Sequence, residues 1–129
     1  MNALLWVMFG GALGAGLRYG ISLLLQTRSA EFPVGTLTVN LLGCLLIGFI
    51  ATWLNAETAR PALRLALIVG ILGGFTTFSS FGLETIELLQ NGRLLVAGAY
   101  IFISNSLGLA LVWLGHRIAQ IILPTTPLT

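Results

Sequence analysis

Charge is scarce in this chain of 129 residues, which contains no lysine, six arginines and four acidic residues. Charged residues make up 8% of the sequence, whereas a soluble globular domain carries about a quarter. Such a chain has too few polar side chains to cover a folded surface in water, which excludes an ordinary soluble domain. The few arginines form no aromatic-basic cluster, so the sequence gives no support for nucleic-acid binding.

Cysteine and histidine are equally scarce, with one of each. The single cysteine, Cys44, excludes an internal disulfide, and its apolar surroundings in the sequence predict a small packing residue. The single histidine, His116, forms neither a metal cluster nor a nucleophile–histidine–acid set, and we expect an interfacial position for it. No phosphate-binding loop is present either, so the pattern predicts that the protein is not an enzyme.

Apolar residues, in contrast, make up 57% of the chain, and the mean hydropathy is +0.99. A bilayer core requires about 20 mostly apolar residues per helix. We therefore predict an all-α integral membrane protein with a single domain over residues 1–129. Its four transmembrane spans are expected at about 3–25, 33–54, 65–89 and 94–122. The first span lacks a basic leader region, so we interpret it as a membrane helix and not as a signal peptide.

The third apolar span contains an unusual run of small and hydroxyl-bearing residues, GGFTTFSSFG, at 73–82. Glycine costs about 1 kcal/mol relative to alanine inside a helix, and serine and threonine compete for backbone hydrogen bonds. Composition leaves two interpretations open. Either the helix is broken near the bilayer midplane, with its free carbonyls and amides facing protein or a water-filled cavity, or the small residues allow an intact helix to pack closely.

The arginines do not favour one side of the membrane. With four spans, the side holding the termini carries Arg60, Arg64 and Arg117, and the other side carries Arg18, Arg28 and Arg93. An excess of arginine and lysine in cytoplasmic loops normally sets orientation. The balance is compatible with insertion both ways up, followed by antiparallel pairing of two copies, as in the inverted repeats of larger transporters. A weakly biased protein oriented by another feature is the alternative.

Several polar side chains inside the spans are functional candidates, because such groups are costly in lipid. Asn40 has to face a partner or a pore. Tyr100 and Ser104 are four residues apart and therefore share one face of the fourth helix. Arg18 either extends to the membrane interface or attracts anions into a vestibule.

Phe78 and Phe81 are three residues apart and would form a short aromatic stripe on a helix. Packing is the ordinary role of such a stripe. Aromatic rings have positive edges, however, and edges that face a pore would contact a small anion without offering a full charge. Glu84 and Glu87 follow on the same segment and either pair with an arginine or reach the interface.

Three parts of the sequence resemble the Fluc/CrcB family of fluoride channels. GGFTTFSSF resembles the family signature GGxTTFSTF, GTLTVNLLG resembles its GTLxVN segment, and GGALGAGLRY resembles its glycine-rich first helix. The resemblance covers essentially the whole chain. It implies a dual-topology antiparallel homodimer in a prokaryotic cell membrane, with two pores for passive, selective fluoride export and a structural sodium ion at the dimer centre.

The resemblance also implies roles for individual residues. The backbone carbonyls of Gly73 and Thr76 would hold the sodium ion, and Arg18 would lie in the vestibule. The fluoride pore would be lined by Asn40, Phe78, Ser79, Phe81, Tyr100 and Ser104. Ser80 stands where the family more usually has threonine and keeps the hydroxyl, whereas Val112 stands where some members have a threonine and interrupts the polar track.

Two rival functions are open. A small dual-topology multidrug or cation exporter needs an intramembrane carboxylate for proton exchange, but the first span has no acid and Arg18 has the opposite charge. A noncatalytic membrane assembly subunit would conduct no ions after purification. Measuring fluoride flux through reconstituted protein separates these classes from a channel.

Overall fold

A computed structural model describes residues 2–25, 31–56 and 61–123, and every regular element in these ranges is helical. The first apolar segment forms α1 (Ala3–Leu25), and the second forms α2 (Val34–Ala56). The prediction of an all-α architecture is confirmed for the described part of the chain.

The third apolar segment is composite. Its first part, α3 (Pro61–Arg64), continues into a π-helical stretch (Leu65–Leu72) and then into the single turn α4 (Gly73–Phe75). Its second part is α5 (Phe78–Gln90). A tight turn then leads into the long helix α6 (Leu94–Ile122).

Within residues 2–25, 31–56 and 61–123, four helical segments are long and apolar enough to cross a membrane. Their outer surfaces are apolar, as the 85% exposure of Leu24 and the 90% exposure of Leu95 illustrate, which suits helices that contact lipid. The four predicted spans are thus confirmed as membrane-capable helices. Two of the six arginines in the orientation count, Arg28 and Arg60, lie outside the described residues.

The third segment leaves the helical conformation at two consecutive residues. Thr76 has φ −83° and ψ 158°, and Thr77 has φ −150° and ψ 119°, both in the extended region. The Thr77 side chain then accepts a hydrogen bond from the Ser80 amide at 3.1 Å. This contact caps the first turn of α5, so the helix restarts with one of its free amides satisfied.

The backbone of α1 lies in direct contact with the backbone of the π-helical stretch and of α4. A side chain on Gly10 would place its Cβ 2.6 Å from the Ala66 carbonyl oxygen, and one on Gly74 would place its Cβ 2.5 Å from the Gly11 carbonyl oxygen. Small residues permit this approach, which is typical of membrane helix pairs. Helices α2 and α6 form the other extensive contact. Helix α2 also contacts α4 and α5, so these three helices meet at the extended residues Thr76 and Thr77.

Candidate functional site

Asn40 on α2 holds the extended residue Thr77 through two hydrogen bonds. The Asn40 Nδ2 donates to the Thr77 carbonyl at 2.9 Å, and the Thr77 amide donates to the Asn40 Oδ1 at 2.8 Å. A side-chain amide can satisfy both backbone groups of one residue because it offers an acceptor and two N–H donors. Asn40 therefore replaces the helical partners that Thr77 lacks.

The same contacts release two carbonyls of the third segment. In an α-helix, each carbonyl accepts from the amide four residues later. The carbonyl of Gly73 would pair with the Thr77 amide, which instead donates to Asn40. The carbonyl of Thr76 would pair with the Ser80 amide, which instead donates to the Thr77 hydroxyl. Both carbonyls have lost their helical donors, and Gly73 is exposed on the surface of the single chain.

Arg18 reaches this region from α1. Its Nε donates to the Gly74 carbonyl at 3.1 Å, and the residue is half-buried. The sequence left open whether Arg18 extends to the interface or draws anions into a vestibule, and a contact with the peptide backbone was not among these alternatives. An arginine has further N–H donors beside Nε, so this bond does not exhaust its capacity.

Aromatic rings form a row from the surface into the core. The ring centroids of Phe78 and Phe81 lie 5.5 Å apart, and those of Phe81 and Tyr100 lie 5.1 Å apart. Phe32 completes the row with an edge-on contact to Tyr100 at 5.5 Å. Phe78 is 81% exposed, whereas Tyr100 is completely buried. The predicted pair Phe78 and Phe81 therefore belongs to a longer aromatic row that begins on the outside of the chain and ends in its core.

A cleft of about 340 Å³ opens beside the extended residues, between α2, the third segment and α6. Of the predicted site residues, the cleft is lined by Asn40, Gly73, Thr76, Phe78, Phe81 and Ser104. The cleft lining does not include Arg18, Ser79 or Tyr100. Cys44 and Asn105 line it as well. The function of this cleft as an ion pathway stays a prediction.

Ser104 provides an unpaired hydroxyl at the cleft. Its Oγ is buried and has no hydrogen-bond partner within the described ranges. The neighbouring Asn105 donates instead to the Ile101 carbonyl of its own helix at 2.7 Å. A buried hydroxyl normally has a partner, so the Ser104 hydroxyl is a donor available to a polar species in the cleft.

Ser79 belongs to a cluster of hydroxyls at the start of α5. Its Oγ lies 3.2 Å from the Thr77 hydroxyl, which in turn donates to the Ser80 Oγ at 3.1 Å. The family resemblance predicts Ser79 as a site residue, but it does not predict Thr77, which contacts both serines and Asn40. The signal for Thr77 was its position three residues before Ser80 at the start of a helix, a spacing typical of an N-cap.

Glu84 accepts hydrogen bonds from two hydroxyls. Thr36 on α2 donates to its Oε1 at 2.6 Å, and Tyr100 on α6 donates to its Oε2 at 2.7 Å. We had expected Glu84 to pair with an arginine or to reach the interface. Hydroxyl donors satisfy the carboxylate at membrane depth instead, because hydrogen bonds to a charged acceptor are stronger than neutral ones.

His116 is also more than an interfacial residue. The Thr52 hydroxyl donates to the Gly48 carbonyl at 2.7 Å, and His116 Nδ1 lies 2.7 Å from the same hydroxyl oxygen. The tautomer of the imidazole sets which of these two atoms donates in the second contact. The contact joins α2 and α6 away from the cleft.

Four apolar helical spans in the described ranges, with half-buried extended backbone beside a polar and aromatic cleft, are typical of a multi-pass membrane protein of the channel or transporter class. The family model described as CrcB-like protein, Camphor Resistance (CrcB), matches residues 5–116. The chain belongs to this family, which confirms the resemblance found in the sequence.

Curated relatives agree with the family match. A protein from Methylobacillus flagellatus is 43% identical, and the alignment covers 93% of this chain and 96% of the relative. One from Xylella fastidiosa is 44% identical, with 95% and 91% covered, and one from Helicobacter pylori is 40% identical, with 90% and 92% covered. All three are named fluoride-specific ion channel FluC. These names describe channels, which confirms the prediction that the family is not one of enzymes.

Proposed function

We propose that this protein is a fluoride-selective channel that lets fluoride leave the cytoplasm passively and so lowers its concentration there. The family match and the names of the relatives support fluoride as the ion that permeates. The observation that carries the proposal for this chain is the cleft lined by Phe78, Phe81 and the unpaired hydroxyl of Ser104. Ring edges and hydroxyls are electropositive groups without a net charge, which suits a small anion.

The proposed mechanism depends on binding that is strong enough to replace water and weak enough to release the ion. A fixed positive charge in a narrow site would trap fluoride, whereas neutral donors exchange for its hydration shell and let it move on. Export needs no energy input, because the weak acid enters the cell neutral and ionises there. The anion then leaves down its electrochemical gradient.

We propose an antiparallel, dual-topology homodimer with two pores as the working unit. The cleft is open on the surface of the single chain, and Phe78 is 81% exposed beside it, so another protein surface is needed to close a pathway. The balanced arginines are compatible with both orientations. The extended residues lie at the middle of the span Pro61–Gln90, and we propose that they occupy the bilayer midplane, where a two-fold axis would pass.

A sodium ion at the dimer centre is part of the proposal. The carbonyls of Gly73 and Thr76 would hold it, since both have lost their helical donors and unwound backbone carbonyls suit this cation in transporters. Each antiparallel chain would supply the same pair of oxygen atoms. The ion would provide a structural link between the chains.

Fluoride flux from liposomes tests the proposed function. Purified protein is reconstituted into vesicles loaded with potassium fluoride or potassium chloride, and valinomycin then relieves the membrane potential. We expect rapid fluoride release and hardly any chloride release. Equal fluxes of the two anions, or no flux from a well-folded dimer, would contradict a fluoride channel. Proton-driven uptake of an organic cation would support the exporter instead.

The aromatic residues have a separate test. We expect Phe78→Ile and Phe81→Ile each to reduce fluoride flux about tenfold or more, since one good polar contact is worth about 1.4 kcal/mol or more. Phe9→Ile is the matched control, because Phe9 is a 68% exposed aromatic residue on α1 that does not line the cleft. Near-normal flux in both cleft variants, with the dimer intact, would leave these rings with a packing role only.

Dual topology is tested by labelling from each side of the membrane. Asn91→Cys, in a Cys44→Ser background, introduces a thiol in the exposed turn between α5 and α6. An impermeant thiol reagent should modify about half of the molecules from either side of sealed vesicles if both orientations occur. Labelling of all molecules from one side would show a single orientation.

A further inference from the structure

The carbonyl of Gly74 is a third backbone acceptor released where the third segment becomes extended. Its helical donor would be the amide of Phe78, the first residue of α5. No backbone hydrogen bond joins α4 to α5 in the described part of the chain. A carbonyl without a partner is costly at membrane depth, and Arg18 supplies the missing donor through its Nε at 3.1 Å.

We propose that Arg18 is a positioning residue that divides these carbonyls between two roles. It binds the Gly74 carbonyl and so keeps this oxygen from competing with the neighbouring carbonyls of Gly73 and Thr76 for a cation. This inference rests on the proposed sodium site and adds to it a residue on another helix. Arg18 thus determines which backbone oxygens face the ion, in addition to any effect of its charge on anions.

The packing of α1 against α4 makes this contact specific. Gly11 and Arg18 are seven residues apart, two turns along α1, and therefore lie on one face of the helix. The backbones of Gly11 and Gly74 approach so closely that a Cβ on Gly74 would lie 2.5 Å from the Gly11 oxygen. The position of α4 relative to α1 is thus fixed by the backbone, and Arg18 reaches the Gly74 carbonyl from a rigid base.

A role of Arg18 limited to its charge and a positioning role predict opposite changes in sodium affinity when Arg18 is replaced. A guanidinium close to a cation site repels the cation, so a role limited to charge means that Arg18→Gln binds sodium more tightly. A positioning role means that the same change weakens sodium binding, because the Gly74 carbonyl is released and disturbs the neighbouring ligands. The sign of the change in sodium affinity therefore separates the two roles.

The experiment measures thermal unfolding of the purified, full-length protein in detergent by tryptophan fluorescence. Sodium is titrated against N-methylglucamine at constant ionic strength without fluoride, and the sodium midpoint of stabilisation is recorded. We expect Arg18→Gln to raise this midpoint about tenfold or more, the equivalent of one hydrogen bond to a charged group. Arg18→Lys, which keeps the charge and a donor, should raise it less.

Arg64→Gln is the matched control, because Arg64 lies nine residues before α4, is exposed, donates to the Asn55 side chain at the end of α2, and has no described contact with the α4 carbonyls. It removes the same charge and should leave the midpoint unchanged. An unchanged or lower midpoint in Arg18→Gln would overturn the inference. If that variant does not fold, a midpoint for Arg18→Lys equal to that of the wild type would overturn it as well.

Fluoride flux of the wild type, measured in parallel, separates this inference from the proposed function. A wild-type protein that conducts fluoride and responds to sodium, with Arg18→Gln responding identically, refutes only the role of Arg18. A wild-type protein that conducts fluoride without any sodium response refutes the sodium site and this inference together. Absence of fluoride flux in folded wild-type protein refutes the proposed function itself.

Discussion

The two halves of the third segment are held in different ways. The first half, from α3 through the π-helical stretch to α4, packs against α1 by backbone contacts, as the close approach of Gly10 to Ala66 illustrates. The second half, α5, is held by side chains. Its Glu84 accepts from two hydroxyls on other helices, and its Phe81 packs against Tyr100 at a centroid distance of 5.1 Å.

The difference explains why two extended residues separate the halves. In a continuous helix, the direction of each side chain is fixed relative to the residues before it. If the first half packs one face against α1, the directions of all later side chains are therefore fixed as well. Thr76 and Thr77 interrupt this order and let α5 turn its aromatic and acidic residues toward α2 and α6. The first half packs as a scaffold against α1 and the second half carries the aromatic and acidic side chains, while Gly73 and Thr76 near their junction line the cleft.

Asn40→Leu should have the largest effect, because it removes both hydrogen bonds that hold the junction of the halves. The amide and the carbonyl of Thr77 would each lose a partner at a cost of about 1–3 kcal/mol. We therefore expect a stability loss of about 2–6 kcal/mol. Unfolding of the detergent-solubilised protein, followed by tryptophan fluorescence, measures it.

Asn105→Leu is the control for this substitution. Asn105 is exposed, and its one hydrogen bond among the described residues is to the Ile101 carbonyl of its own helix, so its replacement should change stability by about 0.5 kcal/mol or less. Asn40→Asp separates the two hydrogen bonds, because it keeps the acceptor for the Thr77 amide and loses the donor to the Thr77 carbonyl. Equal losses for Asn40→Leu and Asn105→Leu would contradict the junction described above.

Gly14→Ala tests the backbone packing of the first half. A Cβ at this position would collide with the carbonyl of Ile71 in the π-helical stretch, and overpacking of this kind costs about 1–3 kcal/mol. Gly16→Ala on the same helix adds the same methyl group in open space. We expect the unfolding midpoint to fall for Gly14→Ala and to stay or rise for Gly16→Ala. Equal behaviour of the two variants would show that α1 does not depend on this contact.

Thr36→Val tests the side-chain support of the second half. It removes one of the two hydroxyl donors to Glu84, and we expect a loss of about 1.5 kcal/mol, since the carboxylate stays partly accessible. Thr38→Val is the control, because the Thr38 hydroxyl has no hydrogen bond within residues 2–25, 31–56 and 61–123.

Combining Thr36→Val with Tyr100→Phe should cost more stability than the sum of the losses of the two single variants, because the Glu84 carboxylate then loses both donors. Simple additivity would argue against a shared acceptor.

The helices could be predicted from the sequence because each is a run of about 20 apolar residues, which only a membrane or a large core accommodates. The third helix begins at Pro61, before the predicted start near residue 65. The π-helical stretch Leu65–Leu72 was not predicted. A uniformly apolar run has the same composition in either helix type, so hydrophobic periodicity does not distinguish them.

The partners within the site could not be predicted, because they come from distant parts of the chain. The composition of residues 73–82 allowed two interpretations, because the same glycine and hydroxyl-bearing residues occur both in closely packed intact helices and in interrupted ones. The extended angles at Thr77 depend on Asn40, 37 positions away, and the contact of Glu84 with Thr36 spans 48 positions. Pairing over such distances is set by helix packing, which no local pattern contains.

Glu31→Gln should have the smallest effect and tests whether charge at the far end of the second half contributes. Arg93 follows α5 and pairs with the carboxylate of Glu31 at 2.9 Å, but this carboxyl side chain is 84% exposed. Exposed ion pairs contribute about 0.2–1 kcal/mol, and Arg93 also donates to the Glu31 backbone carbonyl at 2.6 Å, a bond that glutamine keeps.

We therefore expect a loss of about 0.5 kcal/mol at low salt, measured by the same unfolding assay, and a smaller loss near 1 M salt, where the Debye length falls to about 3 Å. Thr36→Val, whose hydroxyl is buried, should keep its effect at both salt concentrations. A loss for Glu31→Gln that persists at high salt would mean that the Glu31 carboxylate stabilises the end of α5 through a contact that salt does not screen. The second half would then be held at two places by acidic side chains, and its contrast with the backbone-packed first half would be greater.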